Sequence, residues 1–518
     1  MQEGTIPLTA NIPTLEQLLA LAKGHTDAEG RLDGTQMSLP VVLRVSPDSF
    51  KFKPSAHSKT ASPDSKESND SNRRNSDAES EDVNELDFEY NHELDPETHT
   101  DQQRHDHAVL RLAAQVIATT QFPVGFPTET VYGLGANACS EAAVANIFYA
   151  KGRPADNPLI VHVSSLRMAR SVSSDAAVLG EGESAGAGAG GRATYGALLK
   201  RHWPGPLSVL VPRCERQIPA IVTAGHGLVA VRLPAHPVAR ALIGLAQTPV
   251  AAPSANTSTR PSPTRASHVR DDLRGRLLLL IDGGDCDDGL ESSVVDALRS
   301  ATVPPELSPT SLQTTPTTAV IPHRIPPCLL RPGGISIEML RKIKGFEDCV
   351  VWSPKLPSAN KNDTIAPVTP GMKYKHYSPN VPLVLLESHQ DETLYSKQQY
   401  REAISIAISA RISAFLEKTP TKIITSPATI VILRTLSQSD FALNLPRSLP
   451  PQVTILQKSL GDSTAKVAHE LFAALRDCET LYLNCLLVFI EGVAEADEGL
   501  AVMNRLRKAA GETIFFHE

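Results

Sequence analysis

Five side chains that are cationic, or can become so, stand at the ends of expected elements: Lys151, Arg153, His162, Arg232 and Arg331. An arginine grips phosphate or carboxylate through a fork of donors and a lysine acts as a point charge, so the set suits an anionic ligand. Lys151 and Arg153 lie in AKGRPADNPLIVH (Ala150–His162), where Pro154 and Pro158 hold the chain extended beside Asn157. Basic residues at a helix end also complement its dipole, worth about 0.3–1 kcal/mol, but the two prolines favour a shaped binding loop. Arg232 falls among apolar strand neighbours and needs an anion, either a carboxylate of the protein or one of a substrate. His162 alone reads as a core histidine. Convergence of all five on one anionic pocket is the economical expectation.

Polar loops accompany the cations. In FPTETVYGLGANA (Phe126–Ala138), Thr128, Glu129, Thr130 and Tyr132 are expected to follow a strand and to precede two glycines and a helix, where a small polar ligand could reach them. A tight structural turn fits the same letters. APSANTSTRPSPT (Ala252–Thr264) gathers Ser254, Asn256, Ser258 and Thr264, the last as an expected helix cap. LESSVVD (Leu290–Asp296) and LLRPGG (Leu329–Gly334) add Ser292, Ser293 and Arg331. No phosphate-loop pattern, H-E-x-x-H, zinc-type Cys/His spacing or G-x-S-x-G elbow occurs, which argues against classical nucleotide hydrolases and covalent acyl transferases.

The elements that must position these residues alternate between strand and helix periodicity. Val41–Val45, Leu159–Val163, Leu228–Pro234 and Leu277–Gly284 are expected strands. Ser140 caps an expected helix that turns Val144, Ile147 and Phe148 inward, and His236–Ala246 and Ile335–Ile343 are further helices. After a Pro/Lys/Asn linker with TPGMKYKHYSP (Thr369–Pro379), the runs VPLVLLE, IVILR, VTILQ and CLLVFIEG alternate with helices at Glu402–Leu416 and Thr464–Cys478. That is a smaller α/β domain with parallel strands.

The length of 518 residues suggests two or three domains. The net charge of −7 is uneven: Asp64 to Asp106 holds fifteen carboxylates and four basic side chains, leaving 42 acidic and 46 basic residues elsewhere. The remainder is slightly basic, which suits phosphate-bearing substrates. Seven scattered cysteines without a C-x-x-C pair fit a reducing compartment, and export or membrane insertion is not expected. Ser171–Gly191 and Ser300–Pro327 read as surface loops. The chain therefore divides into an N-terminal segment with the first strand (1–54), an acidic insertion expected to be disordered (55–105), a first folded domain (106–343), a linker (344–380) and a C-terminal domain (381–518).

FPTETVYGLGANA, KGRPADNPLIVH, WPGPLSVLVP, VAVRLPAHP, APSAN with RPSPT, LESSVVD and LLRPGG, in that order, resemble the YrdC-like domain of threonylcarbamoyl-AMP synthases. PGMKYKHYSP and a final domain ending GLAVMNRLRKAA resemble the long, two-domain form of that family. The resemblance implies a YrdC-like twisted mixed sheet with helices plus a smaller Rossmann-like C-terminal α/β domain. It implies that L-threonine, bicarbonate and ATP give L-threonylcarbamoyladenylate and pyrophosphate, for N6-threonylcarbamoyladenosine beside the tRNA anticodon.

By the same resemblance Thr130, His162, Arg232, Ser254 and Ser293 hold threonine, with Lys151 and Arg153 serving catalysis. Arg153, Asn157, the backbone at Leu228, Asn256, Thr264 and Arg331 surround ATP, and Thr369, His376 and Tyr377 close over it. Magnesium is expected to come with ATP, without a protein metal cage. Expected partners are the downstream tRNA threonylcarbamoyl transferase machinery and an RNA contact, with a cytoplasmic location, room for a mitochondrial pool and no membrane. Ser208 and Ser293 replace threonines of the usual pattern and keep a hydroxyl, whereas Thr259 replaces a glycine where the loop needs positive φ. Two other readings stay open: an RNA-binding YrdC-like module without catalysis, and a carbamoyltransferase.

Overall fold

The computed structural model describes residues 12–23, 40–50, 52–54, 88–90, 100–180, 194–298, 326–352, 376–388, 397–418, 427–435, 449–482 and 484–516, with a few single residues between these ranges. An eleven-stranded sheet organises the first domain. From one edge, Val41–Arg44, Leu279–Asp282 and Val124–Phe126 run parallel. Gly133–Asn137, Val250–Ala251 and Ile160–His162 follow, each antiparallel to its predecessor. Leu228–Arg232 lies parallel to Ile160–His162, Leu207–Pro212 antiparallel to it, and Ser293–Asp296 parallel again. Cys328–Arg331 and Val350–Val351 close the far edge. This is the expected mixed sheet with helices, and it carries the ends of LESSVVD, LLRPGG and VAVRLP to one side.

Local chemistry explains most boundaries. The helix Glu141–Lys151 starts where the Ser140 hydroxyl accepts from Ala143 N, and it ends at Gly152, whose φ of +58° suits a residue without Cβ. Val144, Ile147 and Phe148 are buried as expected. The helix Pro237–Ala246 opens with proline in its first turn after His236, which accepts from Val238 N.

Three features differ from the sequence expectations. Phe126–Ala138 is a β-hairpin, strand to strand, because Val124–Phe126 pairs with Gly133–Asn137. The glycines that suggested a turn lie inside the second strand, where the Phe126 ring crosses them; a Cβ on Gly135 would come within 2.5 Å of that ring. Thr264 does not cap a helix: Arg265 occupies the cap of Ala266–Asp272, and Thr264 is buried, its amide donating to His268 Nδ1 at 3.3 Å. The tract expected to be disordered contains structure in its C-terminal part. Phe88–Tyr90 pairs with Phe52–Pro54, and the helix Asp101–Thr119 begins inside the tract with a Thr100/Gln103 capping box. Asp106 is fully buried and accepts from Ser46 N and Ser49 Oγ at 3.0 and 2.6 Å, tying the first strand's end to this helix. Residues 55–87, 91–99, 181–193 and 299–325 lie outside the described residues.

The second sheet has the order Val453–Ser459, Ala428–Arg434, Cys485–Glu491, Leu383–Ser388 and Glu512–Phe516, with all neighbours parallel. Leu383 and Leu385 face one apolar cluster and Val384 and Leu386 the other, the pattern of a parallel sheet covered on both faces. The last strand escaped the sequence reading. The helices Thr464–Thr480 and Gly499–Ala509 pack on the first of these faces, and Val131 and Leu290 of the first domain join the same cluster. The two domains therefore share apolar core.

Candidate active site

A cavity opens where the hairpin loop, the ends of three strands and the linker meet. Thr130, Arg153, His162, Arg232, Ser254, Arg331, His376 and Tyr377, all expected at the site, line it.

The three arginines are held differently. After the turn at Gly152, Arg153 folds back so that Nε donates to the Asn157 carbonyl at 3.1 Å and Nη2 to Pro158 at 2.9 Å. Arg331 Nε and Nη2 donate to the Ser292 carbonyl at 3.0 and 2.8 Å, and Nη2 also to Ser292 Oγ at 3.0 Å. Gly333 lets this loop pass: a Cβ there would lie 2.3 Å from the Glu291 carbonyl. Burial lowers both arginines to about 10, so they stay cationic at neutral pH. Their direct partners are neutral oxygens, which orient the guanidinium groups without cancelling their charge. Arg232 instead meets a carboxylate of the protein, with Nη2 2.7 Å from Glu129 Oε1. Its Nη1 donates to Thr130 Oγ1 at 2.9 Å and Nε to the Gly205 carbonyl at 3.2 Å. Burial alone would raise the Glu129 carboxyl, but Arg232 and the Ala235 amide outweigh it and hold it below its ordinary value.

The histidines are neutral. Burial, with Arg232 and Arg331 nearby, pushes His162 down to about 3, and burial with Arg153 and Lys151 does the same to His376. Nδ1 of each, and Oδ1 of Asn157, is buried without a hydrogen-bond partner among the described residues. Such atoms are costly unless a ligand or water meets them.

Other expected site residues stand behind the wall. Lys151 Nζ donates to the carbonyls of Ser254 and Asn256, which clamps that loop and does not project into the cavity. Asn256 Nδ2 bonds the carbonyls of Thr257 and Arg260 at 2.8 and 2.9 Å and shapes the same loop. Ser293 Oγ is consumed by Ile335, donating to its carbonyl at 2.6 Å and accepting its amide at 3.0 Å. The neighbouring Ser292 lines the cavity instead, with Ser208 Oγ 2.9 Å from its hydroxyl. Asn157, Leu228 and Thr264 lie outside the lining, and Thr369 lies outside the described residues. Sequence reasoning also passed over Glu291, which lines the cavity, and Arg505, which binds it from the C-terminal domain. Among the described residues no group of three or more His, Cys, Asp or Glu could hold a metal ion, and no helix is long and apolar enough to cross a membrane.

The linker reaches the cavity through His376 and Tyr377. Tyr377 is buried, stacks on Phe472 of the C-terminal domain with centroids 5.2 Å apart, and is followed by Ser378, whose amide donates to the Thr259 carbonyl at 2.8 Å. Thr259 has φ of +77°, the conformation its position was expected to need.

Residues 119–304 match the Sua5/YciO/YrdC family model, described as telomere recombination, and residues 335–511 match the model of the threonylcarbamoyl-AMP synthase C-terminal domain. The threonylcarbamoyl-AMP synthase of Schizosaccharomyces pombe is 38% identical over 78% of this chain and 88% of its own length. That of Pyrococcus abyssi is 35% identical over 78% and 95%. The chain belongs to the threonylcarbamoyl-AMP synthase family. A crystal structure of P. abyssi Sua5 complexed with L-threonine superposes with a TM-score of 0.58 at 34% identity, covering 79% of this chain and 96% of that one. The two-domain synthase fold expected from the motifs is therefore present, and the relatives support the synthase reading over the RNA-binding module and the carbamoyltransferase. The hydroxyls of Thr128, Thr130 and Ser292 shape loops and hold arginines.

Proposed function

We propose that the cavity holds L-threonine and ATP side by side and joins them through bicarbonate. The carrying observation is that Arg153, Arg232 and Arg331 line one hollow, two of them with no direct carboxylate partner among the described residues. Arg232, set by Thr130 and Glu129, is assigned to the threonine carboxylate, with Ser254 and neutral His162 beside it. Arg153 and Arg331 are assigned to the triphosphate, and His376 and Tyr377 cover it. Lys151 is assigned to positioning, through the Ser254–Asn256 loop it clamps.

The threonine amine takes up the carbon of bicarbonate, releasing water and leaving a carbamate. A carbamate oxygen attacks the α-phosphorus of ATP, the bond to the bridging oxygen breaks, and pyrophosphate departs. Preoriented guanidinium groups stabilise charge that develops on phosphorus without reorganising, which is the task such chemistry sets an enzyme. The nearest carboxylates, Glu129 and Glu291, are committed to Arg232 and Arg505, so the donor set does not fit a protein-bound magnesium. Magnesium is proposed to arrive on the phosphates. In this division residues 106–343, with the strand Val41–Arg44, carry the reaction, 344–380 the cover, and 381–518 its support. The adenylate then passes to a tRNA-modifying transferase.

The test is pyrophosphate release with each substrate omitted in turn. Release that needs threonine, bicarbonate and ATP together is expected; equal release without threonine would reject the reading.

A further inference from the structure

Glu291 poses a problem for any anionic substrate. It is buried, it lines the cavity, and it sits in the same wall as Arg331. A bare carboxylate there would repel a triphosphate and draw Arg331 to itself.

The compensation comes from 214 residues away in the sequence. Arg505, on the helix Gly499–Ala509 of the C-terminal domain, is 0% exposed and places Nε and Nη2 each 3.1 Å from Glu291 Oε2. Ser262 Oγ donates to the other carboxylate oxygen at 2.5 Å. Burial would raise the Glu291 carboxyl, but Arg505, Arg331 and Ser262 together hold it down at about 2. Arg505 Nη1 also donates to the carbonyl of Pro332, the residue after Arg331, and its guanidinium lies 5.7 Å from the centre of the Tyr377 ring. One side chain thus touches three parts of the cavity: the carboxylate that must be neutralised, the loop that carries a phosphate-directed arginine, and the aromatic cover.

We propose that Arg505 is a positioning residue for the nucleotide, by which the C-terminal domain sets the charge and shape of a cavity it does not line. The inference rests on ATP occupying that cavity. Neutralising Glu291 leaves Arg331 free for phosphate, and the contact at Pro332 fixes its loop. A purely structural role would lower stability and turnover together, and no change at Glu291 would repair it.

The experiment is a double-mutant cycle on the full chain, read by steady-state pyrophosphate release. The unaltered chain is measured first, so that absence of threonine-dependent release strikes the substrate assignment and not this inference. Arg505→Met is expected to raise KM for ATP at least 20-fold with kcat within about threefold. Adding Glu291→Gln is expected to bring KM back to within about fivefold of the unaltered chain. An unchanged KM in Arg505→Met, or a double variant no better than the single one, overturns the proposal. If Arg505→Met does not fold, Glu291→Gln alone decides: KM for ATP should stay level or fall, and a tenfold rise would show that Glu291 itself serves the nucleotide.

Discussion

Two groups of arginines in this molecule do opposite things. In the cavity, Arg153 and Arg331 are held by carbonyl and hydroxyl oxygens and keep their charge for a ligand. Between the domains, Arg476 pairs with Asp272 at 2.8 Å, Arg260 with Glu479 at 2.5 Å, and Arg505 with Glu291. Glu479 Oε1 also accepts the amide of Asn380 in the linker at 2.6 Å. Residue type is the same; the partner decides. A guanidinium on neutral oxygens keeps its charge for an anion from outside, whereas one on a carboxylate is largely neutralised by the protein itself.

The comparison breaks most readily at Arg153. Arg153→Ala should lower kcat/KM for ATP about 100- to 1000-fold with little change in melting temperature, since an oriented cation aimed at developing charge is worth that much. A loss matched by unfolding would move Arg153 into the structural set. Arg476→Met should do the reverse, costing about 3 kcal/mol of stability by leaving Asp272 only its longer contact with Arg260 at 3.5 Å, as read by denaturant unfolding. A stable variant with impaired turnover would contradict its placement. Arg232 stands between the sets because Glu129 already faces it. Arg232→Ala should raise KM for threonine about 10- to 50-fold and more than KM for ATP; the opposite ranking would reassign it.

Smaller effects sharpen the picture. Burial, with Arg476 and Arg265 nearby, also lowers His268 to about 3, as for His162 and His376. Below pH 6.5 the unfolded chain binds protons that the native imidazoles refuse, so stability should fall by about 1 kcal/mol per histidine for each pH unit down to about 3. The Glu291 contribution, by contrast, is present above its unfolded value near 4.5 and is lost only as pH falls toward 2. Melting curves that stay flat from pH 7 to 5 would show the histidines already protonated in the fold. Thr259→Gly, which relieves a β-branched residue at φ +77°, should stabilise by about 1 kcal/mol, and a loss would mean that the side chain makes a compensating contact.

The cations that form the cavity were legible because arginine in an apolar strand or beside prolines has few explanations. Four of the five residues expected to converge line it. Lys151 does not, since its flexible stem reaches backwards to the Ser254 and Asn256 carbonyls, which no spacing in the chain announces. Ser292 and Ser293 are adjacent hydroxyls at the start of a strand, and period-two alternation leaves the choice between them to a register that the Ile335 turn settles. Gly133 and Gly135 misled because glycine signals a turn as often as a crossing aromatic ring. The ion pairs of Arg505 and Arg476 were hidden for a simpler reason: their carboxylate partners lie more than 200 residues away, beyond the reach of any local pattern.

The direct test of the central claim is calorimetric titration of ATP into three full-length variants in parallel: Arg153→Ala, Arg331→Ala and Arg476→Met. Affinity at least 30-fold weaker in the first two and within about threefold of the unaltered chain in the third is the predicted result. Equal weakening in all three, or tight binding by the cavity variants, would contradict it.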